Sequence, residues 1–133
     1  MTPSSSGPRL PELSCTRRMF LLGTATTFAG AFLAACGAEP STELAATEVP
    51  VGSAVILDGF IIAQPTEGDF IAYSATCPHQ LNPITEVEGD MVRCTAHNSE
   101  FSIADGAVLA GPSRDPLTPV RLSQEGNQLN VSV

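Results

Sequence analysis

The spacing of apolar residues changes near residue 50. Beyond that point the apolar runs are short, are bounded by turn residues, and form no stripe with a period of 3.6 residues. Turn pairs such as Asp58-Gly59 and Glu88-Gly89 separate the runs. This pattern predicts a small all-β domain with strands at residues 53–57, 60–64, 70–75, 91–94, 101–103, 118–122 and 128–133.

The first 36 residues have a different pattern. Residues 19–35 form an uncharged run of 17 residues, at the lower limit for crossing a bilayer. Arg17 and Arg18 precede this run and make the segment similar to a twin-arginine export signal. The run ends in Leu33-Ala34-Ala35-Cys36, which resembles a bacterial lipobox and implies cleavage before Cys36 and a lipid on its thiol. We therefore expect a signal peptide at residues 1–36.

This signal implies an exported, lipid-anchored protein on the outer face of the cytoplasmic membrane or on a membrane facing the periplasm. The alternative is an uncleaved helix that ends in an ordinary apolar Cys36, and it too would hold the domain at a membrane. Residues 37–50 are small, acidic and polar, so we expect a flexible tether there. The folded domain is then expected at residues 51–133.

Charge narrows the classes of partner. The net charge is −8, and from Glu39 onward three Arg face thirteen acids, giving −10. An acidic body argues against nucleic acid, because phosphate contacts need clustered Lys or Arg. It favours solubility or docking on a basic protein surface. The sequence contains no Lys, so Schiff-base chemistry and a Walker-type phosphate site lack their residue.

The candidate metal ligands form two pairs. The body contains two Cys and two His, arranged as Cys77-Pro78-His79 and Cys94-Thr95-Ala96-His97, with fourteen residues between the pairs. Each pair lies at the end of a predicted strand. A tetrahedral zinc site and a 2Fe-2S cluster with two Cys and two His both fit this ligand set. Zinc sites usually pair like ligands in sequence, whereas each pair here mixes a thiolate with an imidazole.

The two motifs resemble those of the Rieske iron–sulfur family, which has Cys-X-His followed by Cys-X-X-His. The resemblance covers residues 50–133 and extends to Ser99, Phe101, Asp105-Gly106 and Gly111-Pro112. It implies a small antiparallel β domain of stacked sheets with two cluster-binding loops. It also implies that Cys77 and Cys94 bind the inner iron of one 2Fe-2S cluster, and that His79 and His97 bind the outer iron at the exposed end of the site.

The chain departs from the respiratory members of that family. Asn82 and Ala96 stand where those members have two further Cys, and Asn98 stands where Gly is common, which favours a left-handed turn at Asn98. Ser99 matches a hydroxyl that donates to the cluster in high-potential members, whereas Phe101 replaces a Tyr. One donor kept and one lost predicts a potential in the middle or lower half of the Rieske range of roughly −150 to +300 mV.

Three functions remain open on this sequence. The first is electron transfer between redox proteins at a membrane, by a carrier or an oxidoreductase subunit with no substrate site of its own. The second is the iron–sulfur subunit of a cytochrome bc-type complex, in which a cluster His would accept a hydrogen bond from quinol. The third is a zinc-stabilised binding module. A terminal oxygenase is excluded for this chain alone, because no His remains for a second iron.

Overall fold

A computed structural model describes residues 37–133. These residues form ten strands and one three-residue 3-10 turn, Ala46–Glu48, and every strand pair in the three sheets is antiparallel. The expected all-β class with stacked antiparallel sheets is confirmed. The strands are β1 Ser41–Ala45, β2 Ser53–Leu57, β3 Phe60–Thr66, β4 Asp69–Ser74, β5 Glu86–Glu88, β6 Met91–Cys94, β7 Ser99–Ser102, β8 Val108–Ala110, β9 Arg121–Glu125 and β10 Gln128–Ser132.

The first sheet, which we call the base sheet, has the order β1-β10-β9. Its first strand corrects the expected tether at residues 37–50, because the chain joins the domain from Ser41 onward. Thr42 and Leu44 alternate with exposed neighbours and are 6% exposed. The Thr42 hydroxyl also donates to Asp58, at 2.7 Å. An alternating strand this short and polar has little apolar signal, which is why the sequence pattern missed it.

The second sheet, which we call the central sheet, has the order β2-β3-β4. Its first hairpin closes at Asp58-Gly59, where both residues have positive φ (50° and 83°), as a two-residue hairpin turn of type I′ requires. The strand predicted at residues 118–122 begins later, at Arg121. Pro119 lacks an N–H for the ladder, and residues 118–120 instead make isolated backbone contacts with β4 before β9 begins.

The third sheet, β5-β6-β7-β8, holds the second pair of candidate ligands. Two of its strands, β5 and β8, have only three residues each and were not predicted, because three residues carry too little periodicity. Cys94 ends β6 and Ser99 begins β7, and the two are paired across the ladder. The connection between them is therefore a short loop at one end of this sheet.

Two hydrophobic cores hold the sheets together. One lies between the base sheet and the central sheet and includes Phe60, Ile62 and Leu129. The other lies between the central sheet and the third sheet, and it contains both Cys77 and Cys94. The candidate thiol ligands are thus built into a packed core. Within residues 37–133, no helix has the length and hydropathy to cross a membrane.

Candidate metal centre

The first ligand loop, residues 77–81, follows β4 and is closed by backbone hydrogen bonds. The N–H of Leu81 donates to the carbonyl of Cys77 at 2.9 Å, and the N–H of Cys77 donates to the carbonyl of Asn82 at 2.7 Å. Leu81 has φ of 58°, the left-handed conformation that ends this tight turn. The turn places Cys77 in the core and leaves His79 half-buried.

The second ligand loop, residues 94–98, repeats this geometry. The N–H of Asn98 donates to the carbonyl of Cys94 at 2.8 Å, and Asn98 has φ of 56°. The predicted left-handed turn at Asn98 is confirmed. Each loop therefore begins with a buried Cys, presents a half-buried His, and closes four residues after the Cys with a residue of positive φ. The hydroxyls of Thr85 and Thr95, 3.4 Å apart, add a contact beside the second loop.

The two thiols lie side by side in the core. Cys77 and Cys94 are both 0% exposed, and neither forms a disulfide. Burial raises the pKa of the Cys77 thiol and the neighbouring Cys94 thiol raises it further, while the backbone N–H groups of His79 and Gln80 donate to the sulfur and lower it. A metal cation supplies the charge that lets a buried thiol such as Cys77 become a thiolate.

The two imidazoles form a second pair. The rings of His79 and His97 are edge to face, with centroids 5.0 Å apart and an interplanar angle of 81°. The Nδ1 atom of each ring is buried, and neither has a hydrogen-bond partner. A buried nitrogen without a partner costs free energy in a finished structure, so two such atoms side by side indicate metal ligation.

The ligands are grouped by type in space although they are mixed in sequence. A thiol pair and an imidazole pair match a 2Fe-2S cluster that has two Cys on one iron and two His on the other. A zinc ion requires all four ligands around a single point. The donor set therefore fits the two-iron cluster.

A third loop, residues 110–115, closes the site from the side of the second ligand loop. Ser99 is 0% exposed, and its Oγ accepts a hydrogen bond from the N–H of Ser113 at 3.2 Å. Because that bond occupies a lone pair, the Ser99 hydroxyl proton remains available to donate elsewhere. Gly111, at φ of 90°, packs so closely that a Cβ would lie 2.5 Å from the carbonyl oxygen of Asn98. Ser113 was not among the predicted site residues, since no local signal links it to a residue fourteen positions earlier.

No tyrosine replaces the hydroxyl that is absent at Phe101. Phe101 is 0% exposed in the core that holds the thiols. Tyr73 is the single Tyr of the sequence, and its hydroxyl donates to the carbonyl of Ile103 at 3.2 Å. Of the two donors weighed from the sequence, Ser99 is thus the one that the described residues supply.

The structure brings together five of the predicted site residues, Cys77, His79, Cys94, His97 and Ser99. The predicted lipid attachment residue Cys36 and the predicted export residues Arg17 and Arg18 lie outside the described residues.

Comparison with known proteins agrees with the class of metal centre that this geometry defines. Residues 37–122 match the family model of the Rieske [2Fe-2S] domain, which is more than half of the chain. The chain belongs to this family. It therefore binds a 2Fe-2S cluster and takes part in electron transfer. The match begins at residue 37, consistent with the position of β1 inside the domain.

Solved structures show the same fold in two kinds of protein. A structure of the reduced oxygenase and oxidised ferredoxin complex of carbazole 1,9a-dioxygenase matches with a TM-score of 0.55 and 20% identity over 71% of this chain and 94% of that chain. The Sphingomonas yanoikuyae B1 ferredoxin matches with 0.52 and 20% identity over 67% of this chain and 93% of its own. A quaternary ammonium Rieske monooxygenase matches with 0.54 and 12% identity, over 66% of this chain and 29% of its own.

Proposed function

We propose that Cys77 and Cys94 bind one iron of the cluster as thiolates and that His79 and His97 bind the other through Nδ1. The observation that carries this assignment is the pair of buried, unpartnered Nδ1 atoms beside a pair of buried thiols. The cluster supplies a one-electron redox centre. The protein supplies a rigid site, because both ligand loops are closed by their own backbone hydrogen bonds and do not depend on a disulfide bridge.

The ligand atoms are tested by isotope labelling, since the sequence contains only two His. Protein labelled with ¹⁵N at Nδ1 alone, reduced with dithionite, is expected to show two strongly coupled ¹⁵N nuclei in pulsed electron paramagnetic resonance. Protein labelled at Nε2 alone is the matched control and is expected to show weak couplings. Strong coupling from the Nε2 label would contradict the assignment.

We infer that the protein transfers electrons outside the cytoplasm while anchored to a membrane. The inference rests on the twin-arginine pattern at Arg17 and Arg18 and on the lipobox that ends at Cys36. Its partners would be redox proteins that donate to and accept from the cluster, with membrane contact through the lipid. The long-range charge of the acidic domain favours basic partner surfaces and argues against nucleic acid.

The anchor has a matched control within the chain, because Cys15 also lies before the domain but outside the lipobox. In the exporting host, Cys36→Ser is expected to abolish both the incorporation of labelled fatty acid and the cleavage before residue 36. Cys15→Ser is expected to change neither. A natural protein that keeps residues 1–35 and takes up no fatty acid would instead support an uncleaved helix.

The second candidate function is the iron–sulfur subunit of a cytochrome bc-type quinol-oxidising complex. The half-buried His79 and His97 favour it, since their outer edges reach the surface where a quinol hydroxyl would bind. The absence of the extra Cys pair and of a Tyr hydroxyl at Phe101 disfavours it. Quinol-dependent reduction of the cluster in membranes, sensitive to His97 substitution, would favour this candidate over a simple carrier.

A further inference from the structure

The domain's N-terminal attachment point and its ligand loops lie at the same end of the base sheet. Ser41, the first residue of β1, pairs with Ser132, which pairs with Arg121 on the other side. The N–H of Val133 donates to the carbonyl of Pro40 at 3.4 Å. Strand β1 therefore starts beside the last residues of β10 and the first residue of β9. The opposite end of this sheet is the β9–β10 turn at Gly126-Asn127.

A crevice joins this end of the base sheet to the first ligand loop. It has a volume of about 610 Å³, and its walls include Val120, Arg121 and Val133 on one side and Pro78 and Leu81 on the other. Pro78 and Leu81 flank His79 in sequence. The carbonyl of Pro40 is thus hydrogen-bonded to Val133, which lines the same crevice as Pro78 and Leu81 of the first ligand loop.

The chain between the lipobox and β1 is too short to move the domain far from a membrane. The structure leaves residues 37–40 as exposed chain before β1, where a tether of fourteen residues was expected. The five steps from Cys36 to Ser41 span at most about 18 Å when extended. An anchor at Cys36 would therefore hold the end of the domain that contains Pro40, and with it the crevice, close to the lipid surface.

The surface at this end has the chemistry of a membrane contact. Leu81 is 78% exposed, the highest value among the large apolar side chains of residues 37–133, and it adopts the left-handed conformation that L residues disfavour. Arg121 is the one charged residue in the wall of the crevice. Residues 76–83 and 94–98 carry no acid, although the domain has thirteen. Asp58 is an acid at this end, and its carboxylate accepts a hydrogen bond from the Thr42 hydroxyl at 2.7 Å. An apolar tip beside an arginine suits lipid chains and headgroup phosphates, and the acidic remainder is repelled by an anionic surface.

We infer that the domain is held with its ligand-loop end facing the membrane, and that Leu81, Arg121 and the crevice between them contact the lipid surface. This inference rests on the anchoring at Cys36 proposed above. Its consequence concerns the partner. Electrons then pass to or from a redox centre at or within the membrane. A freely diffusing carrier would reach only the opposite end of the domain, which is the end away from the ligand loops.

Single tryptophans test the orientation, because the natural sequence contains none. The full-length, lipidated protein is made as Leu81→Trp, Val133→Trp and Asn127→Trp, and each is reconstituted into phosphatidylethanolamine–phosphatidylglycerol vesicles with and without nitroxide-labelled headgroups. The ratio of the two fluorescence intensities cancels any quenching by the cluster itself. Val133→Trp reports on the crevice without altering a ligand loop, so the test does not depend on Leu81→Trp folding. Asn127→Trp is the control at the far end of the base sheet.

Leu81→Trp and Val133→Trp are expected to be quenched at least twofold more strongly than Asn127→Trp. Equal quenching, or stronger quenching of Asn127→Trp, in protein that co-sediments with the vesicles would overturn the orientation while leaving the anchor intact. Vesicle-bound protein without quenching at any position would also overturn it, and would leave the crevice to a protein partner. Failure to co-sediment would reject the anchor and the orientation together.

Discussion

The third loop offers the sharpest structural prediction, through the substitution Gly111→Ala. The new Cβ would lie 2.5 Å from the Asn98 carbonyl oxygen and 2.5 Å from the Ser99 Cα, and both contacts are to backbone atoms. Neither neighbour can turn away as a flexible side chain would, so the loop itself must move. Such overpacking costs about 1–3 kcal/mol. The positive φ of 90° adds a further cost of about 1–2 kcal/mol for any residue with a Cβ.

Gly68→Ala separates these two costs. Gly68 has a similar φ of 81°, but a Cβ there would meet nothing within 4 Å. The difference in stability between the two variants therefore measures the clash alone. One kcal/mol shifts the melting temperature of a domain of this size by about 4–8 °C. We expect Gly111→Ala to melt at least about 4 °C below Gly68→Ala, as measured by circular dichroism and by loss of the cluster's visible absorbance.

Displacing the loop also has a chemical effect that the control lacks. The N–H of Ser113 would move away from Ser99 Oγ, so the hydroxyl would lose the hydrogen bond that orients it. We expect the reduction potential to change in Gly111→Ala and to stay constant in Gly68→Ala. If both variants melt within about 1 °C of each other and share one potential, the third loop neither packs tightly against the second ligand loop nor orients the Ser99 hydroxyl.

Three further predictions concern single side chains. Ser99→Ala is expected to lower the reduction potential by about 40 mV, the equivalent of about 1 kcal/mol for one electron. Protein-film voltammetry measures this shift, with Ser102→Ala, at a partly exposed serine, as the control. An unchanged potential would refute the donor role of Ser99. Leu81→Gly is expected to raise the free energy of unfolding by about 0.5–1 kcal/mol, because relief of the left-handed strain exceeds the entropy cost of glycine. Urea titration measures this change, and a loss of stability would contradict the prediction. Burial and, secondarily, Asp105 raise the pKa of Tyr73 in the folded state. The stability linked to this shift is therefore present below pH 10 and is lost as the pH rises above it, so Tyr73→Phe is expected to reduce the fall in stability between pH 9 and pH 11.

Much of the fold could be predicted from the sequence because the central strands are long and apolar. Residues 53–57 and 91–94 were predicted with the bounds that the structure has. The missed strands share one physical cause, which is weak local periodicity, whereas the late start of β9 comes from the missing N–H of Pro119. Strand β1 contains Thr42 and Leu44 as its two inward residues, and this signal is too short to separate a strand from a polar tether. Its stability comes instead from pairing with β10, which lies almost ninety residues later in the chain.

The candidate site was predictable where the chemistry is local and was not predictable where it depends on tertiary contacts. Cys77, His79, Cys94 and His97 stand in two short motifs, and each motif folds into its own hydrogen-bonded turn. The regrouping of these ligands into a thiol pair and an imidazole pair requires the packing of two sheets. The contact of Ser113 with Ser99 is of the same kind, since it depends on the path of the chain after β8.

The central claim is that this ligand set holds a two-iron, two-sulfide cluster, and the most direct test is analysis of the purified protein for iron, zinc and acid-labile sulfide together with electron paramagnetic resonance of the reduced sample. We predict two irons and two sulfides per chain and the low-average-g signal of a cluster with His ligands on one iron. Stoichiometric zinc without sulfide or signal, in protein produced with ample iron, would contradict the claim and would leave a small metal-stapled binding domain.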